Sequence, residues 1–335
     1  MPRAPRIEYA GAVYHVLCRG DRRERIIRGD EDARLFLRTL GETCDRTGWR
    51  VHAYVLLPNH YHLLLETPDA NLVAGMRWLQ STYTLRFNAR HRECGHLFQG
   101  RYKALVVDGE EPVYFRLLSD YIHLNPARAR LLDRERPKLG SYPWSSYAAY
   151  VGRTERPAWL SVDRVLNGQG WDDDRAGRRG YAAYLADRVA ECLDEHRGLT
   201  KEWKAVRRGW YLGDGAFRQR ILDLLSGVVD TKQRSSYAGE GMRAHDEQAA
   251  ERLLEHGLRA VRWTSEDLQR ARPSDVRKQG LVWLLRTSTT VGCGWITEHV
   301  QMGHPANTNR AVRAYASPAS AAIRLLKINL LNCKD

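Results

Sequence analysis

Two histidines, His60 and His62, alternate with Tyr61 at the start of a mostly apolar run that reads HYHLLLE. Because successive side chains of a strand point to opposite faces, the two imidazoles would share one face, about 7 Å apart along the chain. At that spacing they can bind one divalent metal ion if another part of the chain supplies a third ligand. Without such a ligand, a histidine pair on a strand is more often structural or solvated.

The segment 121–125, which reads YIHLN, can supply both a third ligand and a nucleophile. Tyr121 and Asn125 are four residues apart and would lie one turn apart on one face of a helix, whereas His123 would point elsewhere. An amide oxygen added to two imidazoles makes a ligand set suited to Mg²⁺ or Mn²⁺. The ion would polarise a phosphate oxygen, and the tyrosine oxygen would attack phosphorus and become joined to a 5′ phosphate of DNA.

Other residues could take these roles, and spacing alone does not decide between all of them. Glu66 shares the histidine face but would lie about 13 Å beyond the second histidine, which makes it a poor third ligand. Tyr114 lies roughly on the same helix face as Tyr121, but the residue one turn after it is Leu118. Tyr102 begins a predicted strand and has no partner of this kind. Tyr121 is therefore the preferred nucleophile.

The period of the apolar side chains predicts the elements that must position these residues. Alternating runs rich in β-branched residues predict strands, and apolar spacings of three and four predict helices. The predicted order is strand, helix, strand, strand, helix, strand and helix, over residues 12–19, 30–48, 49–57, 60–66, 71–87, 102–108 and 112–124. Pro126 is expected to end the last of these helices.

This order is the split βαβ arrangement of ferredoxin-like folds, so the predicted class is α+β with an antiparallel sheet. The first two helices would cover one face of the sheet. The other face would then be open to a substrate or to the helix that carries Tyr121. A mostly α-helical region is expected after this domain.

Four separated motifs resemble, in the same order, those of HUH single-tyrosine transposases, in particular the group of REP-associated tyrosine transposases. The motifs are PNHYH, FQGRY, DYIHLNP and PWSSY, at residues 58–62, 98–102, 120–126 and 143–147. The resemblance covers about residues 5–150. It implies a ferredoxin-like HUH fold, a divalent metal ion and cleavage of single-stranded DNA.

The matching positions carry further implications of this resemblance. They imply His60 and His62 as metal ligands, with Asn125 as the third ligand, and Tyr121 as the nucleophile. Members of the family typically recognise short DNA hairpins beside the cleavage site. Some members of the wider family are dimers that exchange the tyrosine helix, whereas REP-associated members tend to act as monomers. Both a monomer and a homodimer therefore stay open for this chain.

Positive charge is concentrated at the two ends of the sequence, within a formal net charge of +13. Residues 1–150 carry 23 basic and 17 acidic side chains, residues 151–277 carry 23 and 21, and residues 278–335 carry 7 and 2. In the first segment 21 of the 23 basic residues are arginine, which can bind phosphate through two parallel hydrogen bonds. This distribution favours nucleic acid as a partner.

Four residues near the predicted sheet are candidates for contacting DNA. Arg101, Tyr102 and Lys103 stand together in one of the motifs that carry the resemblance. Basic and aromatic neighbours suit a single strand, whose bases stack on aromatic rings and whose phosphates need charge. Arg19 ends the first predicted strand, and the arginine-rich loop after it could hold phosphate or simply be solvated.

A compact C-terminal unit begins near residue 273, where three predicted helices with a turn at Gly303 indicate a helix-turn-helix. It resembles the helix-turn-helix of bacterial replication initiators. The predicted core consists of Leu281, Leu284, Leu285, Ile296, Val300, Val312 and Tyr315. The last helix would expose Asn307, Asn309, Arg310 and Arg313. Asparagine and arginine can contact base edges or phosphates of duplex DNA, although three short helices also form purely structural bundles.

The predicted domains are a catalytic domain at residues 1–132, a connecting or accessory helical region at 133–272 and a DNA-binding domain at 273–335. No apolar run approaches the roughly 20 residues of a membrane span, and no secretory signal follows Met1. The six cysteines form no Cys-x-x-Cys pair, which argues against a zinc site and a disulfide framework. The chain is expected to be cytoplasmic and nucleoid-associated, without a membrane partner.

The predicted function is metal-dependent cleavage and transfer of single-stranded DNA at hairpin-flanked sites, through a covalent 5′-phosphotyrosine intermediate. The main alternative is a non-catalytic, sequence-specific DNA-binding regulator, although such a protein would not need all four candidate site residues. A relaxase or replication nickase of the wider HUH class is a second alternative. An RNA-binding protein that uses the open sheet is a third.

Overall fold

The computed structural model describes residues 6–132, 135, 137–193, 203, 206, 209–230, 240–316 and 321–331. The chain forms two compact units, Arg6–Ile221 and the chain from Leu222 onward. The domain boundaries expected at residues 132 and 272 stay predictions.

The first unit contains the five strands and the helices that position the candidate site. Its strands are β1 Ala12–Arg19, β2 Arg50–Leu57, β3 His60–Thr67, β4 Lys103–Val107 and β5 Tyr211–Leu212. Its helices are α1 Asp30–Thr47, α2 Leu72–His91, α3 Pro112–His123, α4 Asn125–Arg128, α5 Tyr147–Tyr150, α6 Asp163–Asn167 and α7 Arg175–Leu193. The order of elements up to α3 confirms the predicted α+β class.

The sheet has the strand order β2–β3–β1–β4–β5. The first four strands pair antiparallel in the order of a ferredoxin-like fold, as the sequence predicted. The register of β1 on β3 places Arg19 opposite His60 and Leu17 opposite His62. The two-residue strand β5 pairs in parallel with β4 and was not predicted, because so short a segment shows no period.

The alternation of side chains along β3 creates two different environments. Tyr61 is fully buried and packs against Phe36 of α1, which in turn packs against Tyr83 of α2, with ring centroids 4.8 and 5.0 Å apart. The histidines on either side of Tyr61 point to the opposite face, where Tyr121 of α3 lies. Helices α1 and α2 therefore cover one face of the sheet, and α3 covers the other face at the candidate site.

The helix that carries the candidate nucleophile ends close to its predicted end, and a separate helical turn follows it. α3 ends at His123, Leu124 keeps nearly helical backbone angles (φ −83°, ψ −3°), and α4 begins at Asn125. α3 thus ends before Pro126, within one residue of the predicted end at Leu124, but the helical turn that follows it was not predicted. Pro126 lies in the first turn of α4, where its missing N–H needs no helical partner. One further turn therefore follows Asn125, and it carries Arg128.

The remaining described elements are helices. They are α8 Gly215–Asp230, α9 Glu240–Ala260, α10 Ser265–Arg270, α11 Val276–Ser288, α12 Cys293–His299, α13 Pro305–Ala316 and α14 Ala321–Leu331. Helices α11 to α13 are the three that the sequence predicted. Gly303, between α12 and α13, has a φ of +74°, the left-handed conformation that favours glycine in a turn.

The predicted C-terminal core is buried. Val312 is partly buried at the edge of this core. The other six side chains are fully buried, namely Leu281, Leu284, Leu285, Ile296, Val300 and Tyr315. Tyr315 of α13 stacks on Trp283 of α11 and donates a hydrogen bond of 2.6 Å to the carbonyl of Val276. Over the ranges given above, no helix combines the length and the apolar character that crossing a lipid bilayer requires.

Candidate active site

The histidine pair occupies the start of β3, on the face covered by α3. The ring centroids of His60 and His62 lie 5.1 Å apart with the rings nearly perpendicular. His60 is half-buried, whereas His62 is only 4% exposed. The period of two along the strand thus brings both imidazoles to one place, open to solvent on the His60 side.

Each ring of the pair is held through its Nδ1 atom. Nδ1 of His60 lies 2.7 Å from the side-chain oxygen of Asn59, to which it donates. Nδ1 of His62 lies 2.9 Å from Nε2 of His15 on β1, with the two rings stacked. In both rings this contact occupies Nδ1, so Nε2 is the nitrogen left for an ion when Nδ1 carries the proton, which is the usual division for metal-binding histidines.

The electrostatics of the site keep these imidazoles neutral, which is the form that binds a metal ion. Burial lowers the pKa of His60 to about 4 and, with a smaller contribution from nearby Lys103, that of His15 to about 3. Burial also lowers the pKa of His62 well below its usual value, and the charges of Arg128 and Arg19 add to the effect. Two oriented, neutral imidazoles fit a divalent ion.

Tyr121 of α3 lies directly beside this pair. Its ring centroid is 5.6 Å from that of His62 and 5.7 Å from that of His15, in edge-on arrangements. Trp203 packs edge-on at 5.9 Å, and the guanidinium carbon of Arg128 lies 4.5 Å from the Tyr121 ring centroid. These neighbours surround a side chain that is only 5% exposed. The structure therefore brings the candidate nucleophile and the histidines together.

A third protein ligand for the histidine pair would have to be something other than a histidine or an acid, as far as the described residues show. Among the residues that the structure describes, no group of three or more His, Cys, Asp or Glu side chains could hold a metal ion. Asn125, at the start of α4, is 7% exposed and offers an amide oxygen on the same chain segment as Tyr121. A bound ion would have to complete its coordination with such an oxygen, with water or with a phosphate.

Two polar side chains close to the site in sequence, Glu66 and His123, are engaged elsewhere. Glu66 binds Arg164 at 2.8 Å and lies 3.4 Å from Nε2 of His52. These contacts, that to His52 first, lower the pKa of Glu66 to about 2. His123 is buried between Ser146 and Tyr181, with contacts of 2.7 and 2.6 Å. This geometry agrees with the interpretation of Glu66 as a poor third ligand and with the prediction that His123 points away from Tyr121 and Asn125.

Asp120, next to Tyr121 in sequence, binds the tyrosine hydroxyl of Tyr184 at 2.6 Å and the guanidinium of Arg188. Burial raises the pKa of this carboxyl to about 6, against the opposing effects of Tyr184 and Arg188. Its side chain therefore faces α7 and connects the tyrosine helix to that helix.

The predicted DNA contacts around the sheet lie in different environments. Arg19 and Arg101 are exposed, and Lys103 is half-buried. Tyr102 is only 7% exposed, and the guanidinium carbon of Arg6 lies 4.1 Å from its ring centroid. Arg6 thus covers one face of the Tyr102 ring, which the sequence predicted to stack on a DNA base. The role of these four residues in DNA binding stays a prediction.

In the C-terminal unit, Asn309, Arg310 and Arg313 are exposed on α13, as the sequence predicted. Asn307 differs, because it is half-buried and its side-chain amide donates to the carbonyl of Met302 at 2.9 Å. This contact ties the start of α13 to the preceding turn. Asn307 is therefore less available than its neighbours for reading a base.

Sequence reasoning missed three residues that contact the site: His15, Arg128 and Trp203. His15 could have been noticed in the sequence as a polar residue within the mostly apolar run AVYHVLC of β1. In the structure it is 1% exposed. Arg128 follows Tyr121 by seven residues, two turns on an uninterrupted helix, but the expected stop at Pro126 hid this relation. No pattern marks Trp203, which is distant in sequence.

Comparison with known proteins agrees with the motif resemblance. Residues 8–125 match the family model described as "Transposase IS200 like", which confirms the resemblance to the tyrosine transposase superfamily for this part of the chain. No curated protein matches the sequence.

Among solved structures, the chain is similar to one described as "Structure of the REP associates tyrosine transposase bound to a REP hairpin". The identity is 17%, the match covers 49% of this chain and 93% of that one, and the TM-score is 0.38.

Proposed function

We propose that the first unit is a metal-dependent single-stranded DNA endonuclease and strand transferase that works through a covalent phosphotyrosine. The observation that carries this proposal is the position of Tyr121, whose ring lies 5.6 Å from His62 beside the pair His60 and His62. A nucleophile beside two neutral imidazoles is the arrangement that metal-assisted phosphoryl transfer needs. The family match over residues 8–125 supports the same function.

The chemistry assigned to Tyr121 is a transesterification. The phenol oxygen attacks the phosphorus of a DNA phosphodiester, and the bond between phosphorus and the 3′ oxygen breaks. The phenol proton passes through solvent to the departing 3′ oxygen, so one diester replaces another and no cofactor is consumed. Because the phosphotyrosine keeps the energy of the original bond, a free 3′-OH can reverse the step and rejoin strands without ATP.

A divalent ion, Mg²⁺ or Mn²⁺, would supply charge neutralisation at the phosphate oxygens. His60 and His62 would hold it through Nε2, and the amide oxygen of Asn125 would be the third protein ligand. Asn59 and His15 would fix the orientation of the two rings through their Nδ1 atoms. These outer contacts matter because a ligand that can turn freely loses affinity for its ion.

The proposed substrate is single-stranded DNA next to a short hairpin, a specificity that rests on the resemblance of the four motifs. The exposed Arg19 and Arg101 lie in the sheet domain and could bind the backbone of this strand. The second unit would bind duplex DNA through α13. Monomeric and homodimeric forms are both compatible with this assignment.

The experiment that tests this function uses the full chain and hairpin-bearing single strands taken from the flanks of its own gene. Incubation with Mn²⁺ or Mg²⁺ should give a protein band that is shifted on a denaturing gel by covalently attached DNA. A chain that binds the hairpin but never forms this band would instead be the non-catalytic regulator. RNA hairpins of the same sequence serve as a control, and a preference for them would favour an RNA-binding protein.

The exposed arginines of α13 give the C-terminal unit a testable role. Replacing Arg310 and Arg313 together with glutamine should weaken binding to duplex DNA and lower the slope of log affinity against log salt by about two, because each phosphate contact contributes about one. The rate of adduct formation on a short single strand should stay within about twofold. Fluorescence anisotropy at several salt concentrations measures the first effect.

Arg286→Gln is the matched control for this pair, since Arg286 is an exposed arginine at the end of α11 in the same unit. An unchanged salt slope in the double variant would make this unit structural. A parallel loss of adduct formation would show instead that α13 contributes to the chemistry.

A further inference from the structure

Arg128 lies beside the candidate nucleophile and outside the proposed metal ligands. It belongs to α4, the turn that continues the tyrosine helix beyond Asn125. Its guanidinium carbon lies 4.5 Å from the Tyr121 ring centroid and 4.6 Å from the Trp203 ring centroid. The guanidinium is thus held against two aromatic rings, one of which carries the attacking oxygen.

One nitrogen of this guanidinium is buried and donates no hydrogen bond to the described residues. Nη1 of Arg128 is shielded from solvent and has no hydrogen-bond partner among the described residues. Arginine stays protonated in proteins, and leaving a buried charged donor unpaired is costly. Each group of this kind in a folded protein calls for an explanation, and a bound ion or a catalytic role is among those that occur.

Two other arginines of the same unit that pack against aromatic rings are paired with carboxylates, and Arg128 differs from them. Arg188 binds Asp120, and Arg164 binds Glu66. Within the ranges that the structure describes, no ion pair is formed by Arg128. Because Arg128 as a whole is half-buried and not enclosed, and its planar fork matches two oxygens of one phosphate, the chemical class that fits is a phosphodiester anion.

The surroundings of Tyr121 favour the same class of ligand. Of the described side chains whose rings or charges contact the Tyr121 ring, namely His15, His62, Trp203 and Arg128, only Arg128 is charged. The site therefore presents one cation and a phenol side by side. An anion bound there would have its reacting atom close to the nucleophile, which is the positioning that accelerates an attack.

We propose that Arg128 is a further catalytic residue that binds a non-bridging oxygen of the scissile phosphate, a role that rests on the function proposed above. As the bond from the Tyr121 oxygen to phosphorus forms and the bond to the 3′ oxygen breaks, charge builds up on the non-bridging oxygens. The guanidinium donates to these oxygens and stabilises the transition state in both directions. It also holds the phosphotyrosine diester, which keeps one negative charge.

The test compares Arg128→Met with Arg116→Met in the full chain. Methionine keeps much of the apolar stem but removes the charge, and Arg116 is an exposed arginine of α3 that provides the same charge loss away from Tyr121. The substrate is a hairpin oligonucleotide carrying either the ordinary phosphodiester or a neutral methylphosphonate at the mapped cleavage site. The rate of covalent adduct formation is measured for each protein on each substrate.

On the ordinary substrate, Arg128→Met should form the adduct about 100-fold or more slowly than the native chain, whereas Arg116→Met stays within about threefold. On the methylphosphonate, Arg128→Met and the native chain should differ by less than about threefold, because a methyl group replaces one charged non-bridging oxygen and the substrate carries no negative charge for Arg128 to neutralise. Thermal unfolding of each variant reports whether the fold is kept.

Arg128→Lys keeps the charge without the fork and serves if Arg128→Met does not fold. Its rate of adduct formation should be at least about tenfold below the native rate on the ordinary substrate, and the loss should be smaller on the methylphosphonate. Native rates in both Arg128 variants, or equal losses on the two substrates, would leave Arg128 with a packing role and overturn this proposal alone. A native chain that forms no adduct on the ordinary substrate would overturn the proposed function as well.

Discussion

Replacing Tyr121 with phenylalanine is expected to abolish the covalent protein–DNA adduct while hairpin binding stays within about twofold of the native affinity. The change removes one oxygen and keeps the ring, whose edge-on contacts with His15, His62 and Trp203 do not depend on the hydroxyl. Packing around α3 should therefore be preserved. Because that oxygen is the proposed attacking atom, no other group can take over the covalent step.

Labels at the two ends of the oligonucleotide show which fragment becomes attached to the protein. A label at the 3′ end should move with the native protein on a denaturing gel, because the tyrosine is joined to the 5′ phosphate of the downstream fragment. A label at the 5′ end should appear in a free, shorter strand that ends in a 3′-OH. Both signals should vanish in Tyr121→Phe.

Tyr114→Phe is the matched control for the nucleophile. Tyr114 lies on α3, seven residues before Tyr121, and is half-buried. Its variant should form the adduct at the native rate. An adduct that persists in Tyr121→Phe and disappears in Tyr114→Phe would reject the assignment of the nucleophile, and peptide mapping of the adduct would then identify the residue that is used.

The sequence could predict the sheet and its two faces because local periods encode both. The alternation around Tyr61 placed both neighbouring histidines on one face, and the apolar spacing of α2 placed Tyr83 on the other side of the sheet. The C-terminal core could be predicted for the same reason, since helical spacing marks which side of each of three helices is buried. In these cases, neighbours in space follow from neighbours in sequence.

The parts that were missed depend on contacts between segments that no local pattern links. His15 orients His62 across a strand pair, and Trp203 reaches Tyr121 from a segment about 80 residues further along the chain. Pro126 was expected to end a helix, which is its usual effect, but the chain starts a new turn there. Arg128 was missed together with that turn, although its guanidinium carbon lies 4.5 Å from the Tyr121 ring centroid.

Replacing either histidine of the pair with alanine is expected to remove metal-dependent cleavage, with a loss of about a hundredfold or more in the rate of adduct formation. His60 and His62 each offer one nitrogen, so either variant leaves an ion with a single imidazole. Both variants should therefore lose metal-dependent adduct formation. His60→Ala is the safer variant for the fold, because His60 is half-buried whereas His62 is 4% exposed.

Binding of Mn²⁺ without DNA separates loss of the ion from loss of the fold or of the nucleophile. Titration followed by electron paramagnetic resonance should show a site in the native chain and in Tyr121→Phe, but not in His60→Ala or His62→Ala. His15→Phe should fall between these cases, with an affinity about 10- to 100-fold lower, because the contact of 2.9 Å that orients His62 is lost while the ring stack can be kept.

His96→Ala controls for the loss of an imidazole, since His96 is exposed and lies in the loop after α2. It should bind Mn²⁺ and form the adduct like the native chain. EDTA should stop the native reaction, and added Mn²⁺ should restore it. If the native chain keeps cutting in EDTA, or if both alanine variants keep their Mn²⁺ affinity, the imidazoles have another role. Tyr121 would then need a different source of charge neutralisation, and Arg128 is the cation already in contact with its ring.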